Sequence, residues 1–372
     1  MYWQLILLCV FTAPLMASGD EVALRYHESL PAIDRQKALV AIQCLRAGRE
    51  KLVTGVYLAT GRTARRVGEE EAYSGELEWT SVFDYGAQCL FFSRKEPLIV
   101  VEDETGNGST TTTWEVLDAR SILRPDVVYD WNAFVSTQVQ IRSPGEGPVP
   151  LSKPIDIRSV GLTTSNVLAL REGLDAVLAG FGYLELTSVE ESPQEVRLTF
   201  AIDRGPLVVE RLLVLNKSLD FAPTRYIISH VRKVDGSDTV SRRSISDCDC
   251  MWDRINHVVV PTSMVARQSI ADGASLTYDV GFSWESVNTP VPDTRFAPEA
   301  LEPGYAKVVD FRQATPTQVG MIRTTPAPLP GGRLQQIGWP TRILIGVHIL
   351  AFVLIVIHLC RRHFRRSGGT SK

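Results

Sequence analysis

The densest run of chemically capable side chains is Asp247-Cys248-Asp249-Cys250-Met251-Trp252-Asp253. Two thiols two residues apart suit a soft metal or a redox couple. Strand alternation, however, puts Cys248, Cys250 and Trp252 on one face and the carboxylates of Asp247 and Asp249 on the other. The ordinary reading is then two buried thiols with solvated acids outside. A direct bond between the thiols is disfavoured, because residues i and i+2 of an extended strand stand near the upper Cα separation for a disulfide. Cys44 and Cys89 are the other cysteines of the body. An oxidising compartment permits one or two bridges among the four, in any connectivity.

Other catalytic patterns are sparse. The body holds three histidines: His27 in a mobile N-terminal stretch, and His230 and His257 in strand-like segments where a structural role is the default. A pocket bringing His230 and His257 to a carboxylate would signal an enzyme. The acid pairs Asp103/Glu104 and Glu190/Glu191 sit at turn-like places. No nucleophile elbow, zinc-protease helix, P-loop or dinucleotide fingerprint occurs. Asn107-Gly-Ser109 and Asn216-Lys-Ser218 match the glycosylation sequon. No residue set calls for a catalytic group, a metal or a cofactor.

The remaining chemistry is apolar burial. Leu276, Tyr278, Val280, Phe282 and Trp284 alternate with Thr277, Asp279, Gly281, Ser283 and Glu285. Val196, Leu198, Phe200 and Ile202 alternate with Arg197, Thr199, Ala201 and Asp203, and Leu77, Trp79 and Phe83 obey the same period. Each run gives a strand with one apolar and one wet face. The residues expected to face an apolar ligand are Val196, Leu198, Phe200, Leu276, Tyr278, Phe282 and Trp284.

These strands need a partner layer, and helical period appears at only two places. Over Asp34–Lys51, Ala38, Ala41, Ile42 and Leu45 recur at three- and four-residue spacing; over Thr163–Phe181, Val167, Leu168, Leu170, Leu174, Val177, Leu178 and Phe181 form a broad stripe that Gly180 or Gly182 ends. Ser192-Pro193, Asn107-Gly108, Asp235-Gly236 and Asp272-Gly273 mark turns between strands, which implies an antiparallel meander. Two helices cannot cover a long flat sheet. The expected fold is α+β: a strongly curved antiparallel sheet, an incomplete barrel, with helices on its concave side. Periodicity is compatible both with a packed core and with an apolar gap between helices and sheet. Ser143–Ser159 is a long irregular piece between the two halves.

The ends of the 372-residue chain give its setting. Residues 1–19 have no charged side chain; an apolar core from Trp3 to Met16, broken by Pro14, leads to small residues before Asp20. That order reads as a signal peptide, or, uncleaved, as a short anchor. Residues 20–312 are the β-rich body. Residues 313–340, with Pro326, Pro328 and Pro330, read as an extended stalk. Residues 341–360 contain the uncharged run Ile343–Cys360, about 27 Å long as a helix, which suits one membrane crossing. His348 and His358 inside it read as tolerated neutral groups. Residues 361–372 begin Arg361-Arg362-His363-Phe364-Arg365-Arg366, a cluster that stays cytoplasmic. The body is then periplasmic or otherwise extracytoplasmic. Six of the 39 basic residues follow Trp339 with no acid among them, so the body is more acidic than the net charge of −3. An acidic body excludes nucleic acid as a partner.

Several strings resemble a known group: Phe83-Asp84-Tyr85 with Phe92-Ser93-Arg94; Lys153 through Leu162 (KPIDIRSVGL); Phe282-Ser283-Trp284-Glu285-Ser286-Val287-Asn288; Phe296; and Gly304 with Val309-Asp310-Phe311-Arg312. They resemble exported proteins of planctomycete-type bacteria, in a layout similar to the LolA/LolB-like lipoprotein-carrier half-barrel. The resemblance spans most of 30–312 and implies an N-terminal helix and a later helical insertion against a curved antiparallel sheet. Carriers are soluble or lipid-anchored, whereas this chain ends in an expected span. The resemblance therefore implies a tethered, non-enzymatic domain that binds a lipid or a lipoprotein, with the bilayer as its other partner. The alternative is a cell-envelope sensor or scaffold that recognises a protein.

Overall fold

The computed structural model describes residues 23–323, apart from 69, 104–109, 136, 146–149, 151, 163–172, 206, 234–239, 270–273 and 313–314. All of this belongs to one compact unit ending at Arg323. The segments read as signal peptide, membrane span and basic tail lie outside the described residues. So do the first half of the second expected helix and the turn pairs Asn107-Gly108, Asp235-Gly236 and Asp272-Gly273. Among the described residues no helix is long and apolar enough to cross a membrane.

The unit is built on one sheet. Its strands are β1 (Arg25–Tyr26), β2 (Thr54–Val67), β3 (Glu70–Asp84), β4 (Cys89–Asp103), β5 (Thr110–Leu123), β6 (Val128–Asn132), β7 (Gln138–Arg142), β8 (Glu185–Glu191), β9 (Glu195–Arg204), β10 (Leu207–Asn216), β11 (Ala222–Lys233), β12 (Val240–Ile255), β13 (Val258–Ser269), β14 (Ala274–Val287), β15 (Tyr305–Asp310) and β16 (Thr317–Arg323). The order across the sheet is β1-β8-β9-β10-β11-β12-β13-β14-β2-β3-β4-β5-β6-β7-β15-β16. Two consecutive meanders, β2–β7 and β8–β14, thus meet where β14 pairs with β2. Pairing is antiparallel except where β1 joins β8 and β15 joins β7. The ends, β1 and β16, do not pair with each other, so the sheet is unclosed.

Helix α1 (Ala32–Glu50) forms where the three- and four-residue spacing was seen, burying Ala38, Ala41, Ile42 and Leu45. It lies against β8, β11 and β13. Helix α2 (Gly173–Ala179) and the 3-10 turn Gly180–Tyr183 bury Leu174, Leu178 and Phe181. Both helices and residues 152–162 join one core with the side of the sheet that carries Tyr57, Trp79, Leu198, Cys248 and Phe282.

The sheet curves around this core. The Ile157 amide donates to the Tyr85 hydroxyl (3.1 Å), one residue beyond β3. Four residues later, a Cβ on Gly161 would stand 2.8 Å from the Pro223 ring of β11 and 3.2 Å from the Cys250 sulfur of β12. In a flat sheet β3 and β11 would be about 24 Å apart, while four residues of chain reach about 13 Å.

Among the described residues the opposite face is covered along β3–β7. There Val82, Ile122, Trp131 and Val139 form a second core with Phe296, Leu301, Val308 and Ile322. The sheet therefore does not stop at Arg312: Thr317–Arg323, inside the stretch read as stalk, pairs with β15. The N-terminal stretch also differs from expectation. Arg25 and Tyr26 pair with β8, and the His27 amide donates to Leu186 O (3.0 Å), which fixes that segment to the sheet.

Candidate functional site

Strand register sorts the inner face into cross-strand rows. One row runs Leu198, Leu213, Tyr226, Cys248, Ala266, Tyr278 and Thr63. The next runs Phe200, Arg211, Ile228, Ser246, Gln268, Leu276 and Arg65. All seven expected ligand-facing residues are on this face, but they occupy three places.

Val196, Leu198 and Phe200 are a sealed floor; Leu198 and Phe200 have 0% exposure. The Phe181 ring sits 5.0 Å from Phe200 and 6.0 Å from Tyr226, so α2 and its 3-10 extension must lift before a ligand touches this part of β9. Phe282 and Trp284 are at the opposite end of the face. The Trp284 indole N–H donates to Pro261 O (2.8 Å), and its ring packs 5.3 Å from Tyr57 and 6.2 Å from Phe83. Six residues at strand rise put Trp284 about 20 Å from Tyr278 along β14. Leu276 and Tyr278 form the open part: both are half-buried, whereas Val280 is fully buried. Ile202, Ile228 and Ala266 are half-buried on the same face and pack against the core. Among the described residues the apolar pattern thus outruns its helical cover, leaving a strip from β9 to β14.

Beside this strip stands a polar group that alternation did not single out. Arg94 and Glu96 share the phase of Leu90 and Phe92 on β4, and both are buried, at 4% and 6% exposure. They form an ion pair through Arg94 Nη2 and Glu96 Oε1. The Trp79 indole N–H donates to Glu96 Oε2 (3.3 Å), and the Arg94 guanidinium lies 5.8 Å from the Trp79 ring centre. Arg94 Nε and Nη1 are buried with no hydrogen-bond partner among the described residues. Tyr278, its ring 6.4 Å from Trp79, has Thr63, Arg94 and Glu96 around its hydroxyl; burial pushes its pKa up, so it stays protonated. Lys153 is held below the usual lysine range by burial and then by Arg94, with Glu96 opposing. The signal was present in sequence: two charges in the buried phase of an apolar run.

The cysteine string folds as alternation dictates. Cys248, Cys250 and Trp252 are buried, while Asp247 and Asp249 accept from Arg267 Nη1 (2.7 and 3.0 Å) on the other face. The two sulfurs are 3.6 Å apart, in a hydrogen bond and not a disulfide, and Cys44 and Cys89 are free thiols as well. The hydrogen bond with Cys248, then burial, pushes the Cys250 thiol well up, which makes it a poor nucleophile. Arg49, stacked 4.1 Å over Trp252, is lowered by burial to about 10 and remains charged at neutral pH. His230 and His257 do not converge. His230 pairs with Ser244 on β12, whereas His257 is in the turn after Ile255, about 36 Å away along that strand. Among the described residues no three His, Cys, Asp or Glu side chains gather as a metal site.

No family model matches the chain, and no curated protein matches it. Solved structures with similarity include a DUF1329 family protein from Desulfovibrio piger, at 10% identity and TM-score 0.37, covering 70% of this chain and 98% of that one. A LolA superfamily protein from Nitrosomonas europaea is similar at 12% identity and TM-score 0.33, covering 69% of this chain and 97% of that one. At such scores the likeness is loose, and function has to be read from this chain's own side chains.

Proposed function

We propose that this chain is a membrane-tethered, extracytoplasmic, non-enzymatic binding protein whose inner face receives an acyl chain, from a free lipid or a lipidated partner. The observation that carries the reading is the strip of Ile202, Ile228, Ala266, Leu276 and Tyr278, apolar yet only half-buried on the concave side. Each methylene a guest buries there contributes about 0.8 kcal/mol. The uncharged run Ile343–Cys360 and the arginines after it support tethering, with the body on the side away from the basic cluster.

The test is organic extraction of the full chain after purification, followed by mass spectrometry. Near-stoichiometric acyl lipid is expected, falling severalfold in Leu276→Asp with Tyr278→Asp. Repeated preparations without lipid from the unaltered chain would end the proposal.

A further inference from the structure

The arginines of the two faces are treated differently. On the outer face Arg267 pairs with Asp247 and Asp249, Arg225 with Asp249, and Arg120 with Asp118. Toward the concave side point Arg65, Arg94 and Arg211 from the sheet and Arg49 from α1. Each of these four has at least one buried N–H group with no hydrogen-bond partner among the described residues. An acidic chain has thus gathered unsatisfied cationic donors on one face. Leaving such donors buried and unpaired is unfavourable, and an incoming acceptor relieves it.

Arg94 is the best prepared of the four. Its Nη2 is fixed by Glu96, whose other oxygen is held by Trp79, so the guanidinium is oriented before any guest arrives. Nε and Nη1 are left for an acceptor. Tyr278 adjoins both this group and the apolar strip, across the strand pair from Thr63. We propose that Arg94 binds the oxyanion of an amphiphilic guest, a carboxylate or a phosphate, while the strip beyond Tyr278 takes its tail. This rests on the acyl-binding reading above and adds the charge of the head group to it. Planar, doubly donating guanidinium suits both oxyanions. The two donors have no exposed surface in this state, so the guest displaces a covering side chain. Lys153, whose backbone is in the left-handed region (φ 46°), adds a second cation close enough to Arg94 and Glu96 to feel both charges.

The experiment titrates the full chain, held in amphipol, with oleate, oleyl alcohol and inorganic phosphate, using calorimetry. Oleate is expected to bind about 10- to 100-fold more tightly than oleyl alcohol, the worth of hydrogen bonds to a charged group. Arg94→Gln combined with Glu96→Gln removes the pair together; it should erase that preference and leave oleyl alcohol affinity unchanged. Should the double variant lose its cooperative thermal transition, Lys153→Met is read in its place, with a severalfold smaller preference expected. Equal binding of acid and alcohol by the unaltered chain, or a preference that survives the variant, overturns the proposal. If neither amphiphile binds, the acyl reading fails by itself, and phosphate decides the rest. Saturable phosphate binding lost in the variant keeps an oxyanion site for a free ion, and no phosphate binding removes it.

Discussion

Asp130 shows what the polar end of the inner face does to a single carboxyl. It lies on β6 and is buried; Oδ1 accepts from Ser121 Oγ (2.6 Å), Oδ2 has no hydrogen-bond partner among the described residues, and Arg142 Nη1 stands 3.8 Å away. Burial pushes its pKa up, against the smaller pulls of Ser121 and Arg142. A carboxyl raised in the folded state binds its proton more tightly there than in the unfolded chain. Its favourable contribution is complete below the unfolded value, about 3.9, and is lost as pH rises through the folded one. Near pH 7 the ionised group therefore opposes folding. Asp130→Asn keeps an acceptor for Ser121 and removes the charge. It should raise the melting temperature at pH 7 and give no gain at pH 3, as thermal scans at the two values would show. A lower melting temperature at pH 7 would mean that the attraction of Arg142 outweighs burial.

At the level of elements, the piece that locks the second helix to the sheet is the irregular segment, and its centre is Asp156. Oδ1 accepts from the Arg158 amide (2.9 Å) and Nε (3.0 Å); Oδ2 accepts from Arg158 Nη2 (2.8 Å) and from the Leu174 amide at the start of α2 (3.2 Å). Arg158 in turn stacks 3.6 Å over the Tyr85 ring, next to β3. A Cβ on Gly173 would collide with the Asp156 carboxylate, so glycine is the residue that admits the contact there. Asp156→Ala leaves a half-buried guanidinium and a helix amide without these partners. The expected loss is about 3–5 kcal/mol, read as a lower urea midpoint with an unchanged slope. Asp156→Asn, which retains one acceptor oxygen, should lose less. The helices and the strand faces were legible because their apolar residues repeat at 3.6 or 2, as Ala38 to Leu45 and Leu276 to Trp284 do. The role of Asp156 was not, because an acid followed two residues later by an arginine has no period; it is only a string until the fold brings Tyr85 and Leu174 beside it. Arg94 was hidden differently: it stands in the buried phase, but period alone does not tell a buried charge from a solvated one.

At the scale of the whole described unit, the sequence announced one apolar face per strand, and a single face predicts a single core. The meander β2–β7 has two. Val82, Phe91 and Ile122 fall between the inner-face residues of their strands, and their apolar character was masked by polar neighbours such as Thr80, Ser93 and Arg120 in the same phase. Their cover comes from residues 291–322, distant in sequence, so no local pattern could assign it. Arg120 fastens that cover: Nη1 donates to Leu301 O (2.8 Å) while the guanidinium stacks 4.9 Å over Trp131. The parallel pairing of β15 with β7 then carries the sheet to its last edge. A chain ending at Arg323 should keep one cooperative unfolding transition. A chain ending at Asn288 lacks Phe296, Leu301, Val308 and Ile322 and bares Trp131, Ile122 and Val139 together. An exposed patch of that kind drives association, so this shorter chain should bind a hydrophobic dye and elute as large species in size-exclusion chromatography, while the longer one does neither. If both behave as well-folded monomers, the second core contributes little, and the inner face alone holds the sheet in its curve.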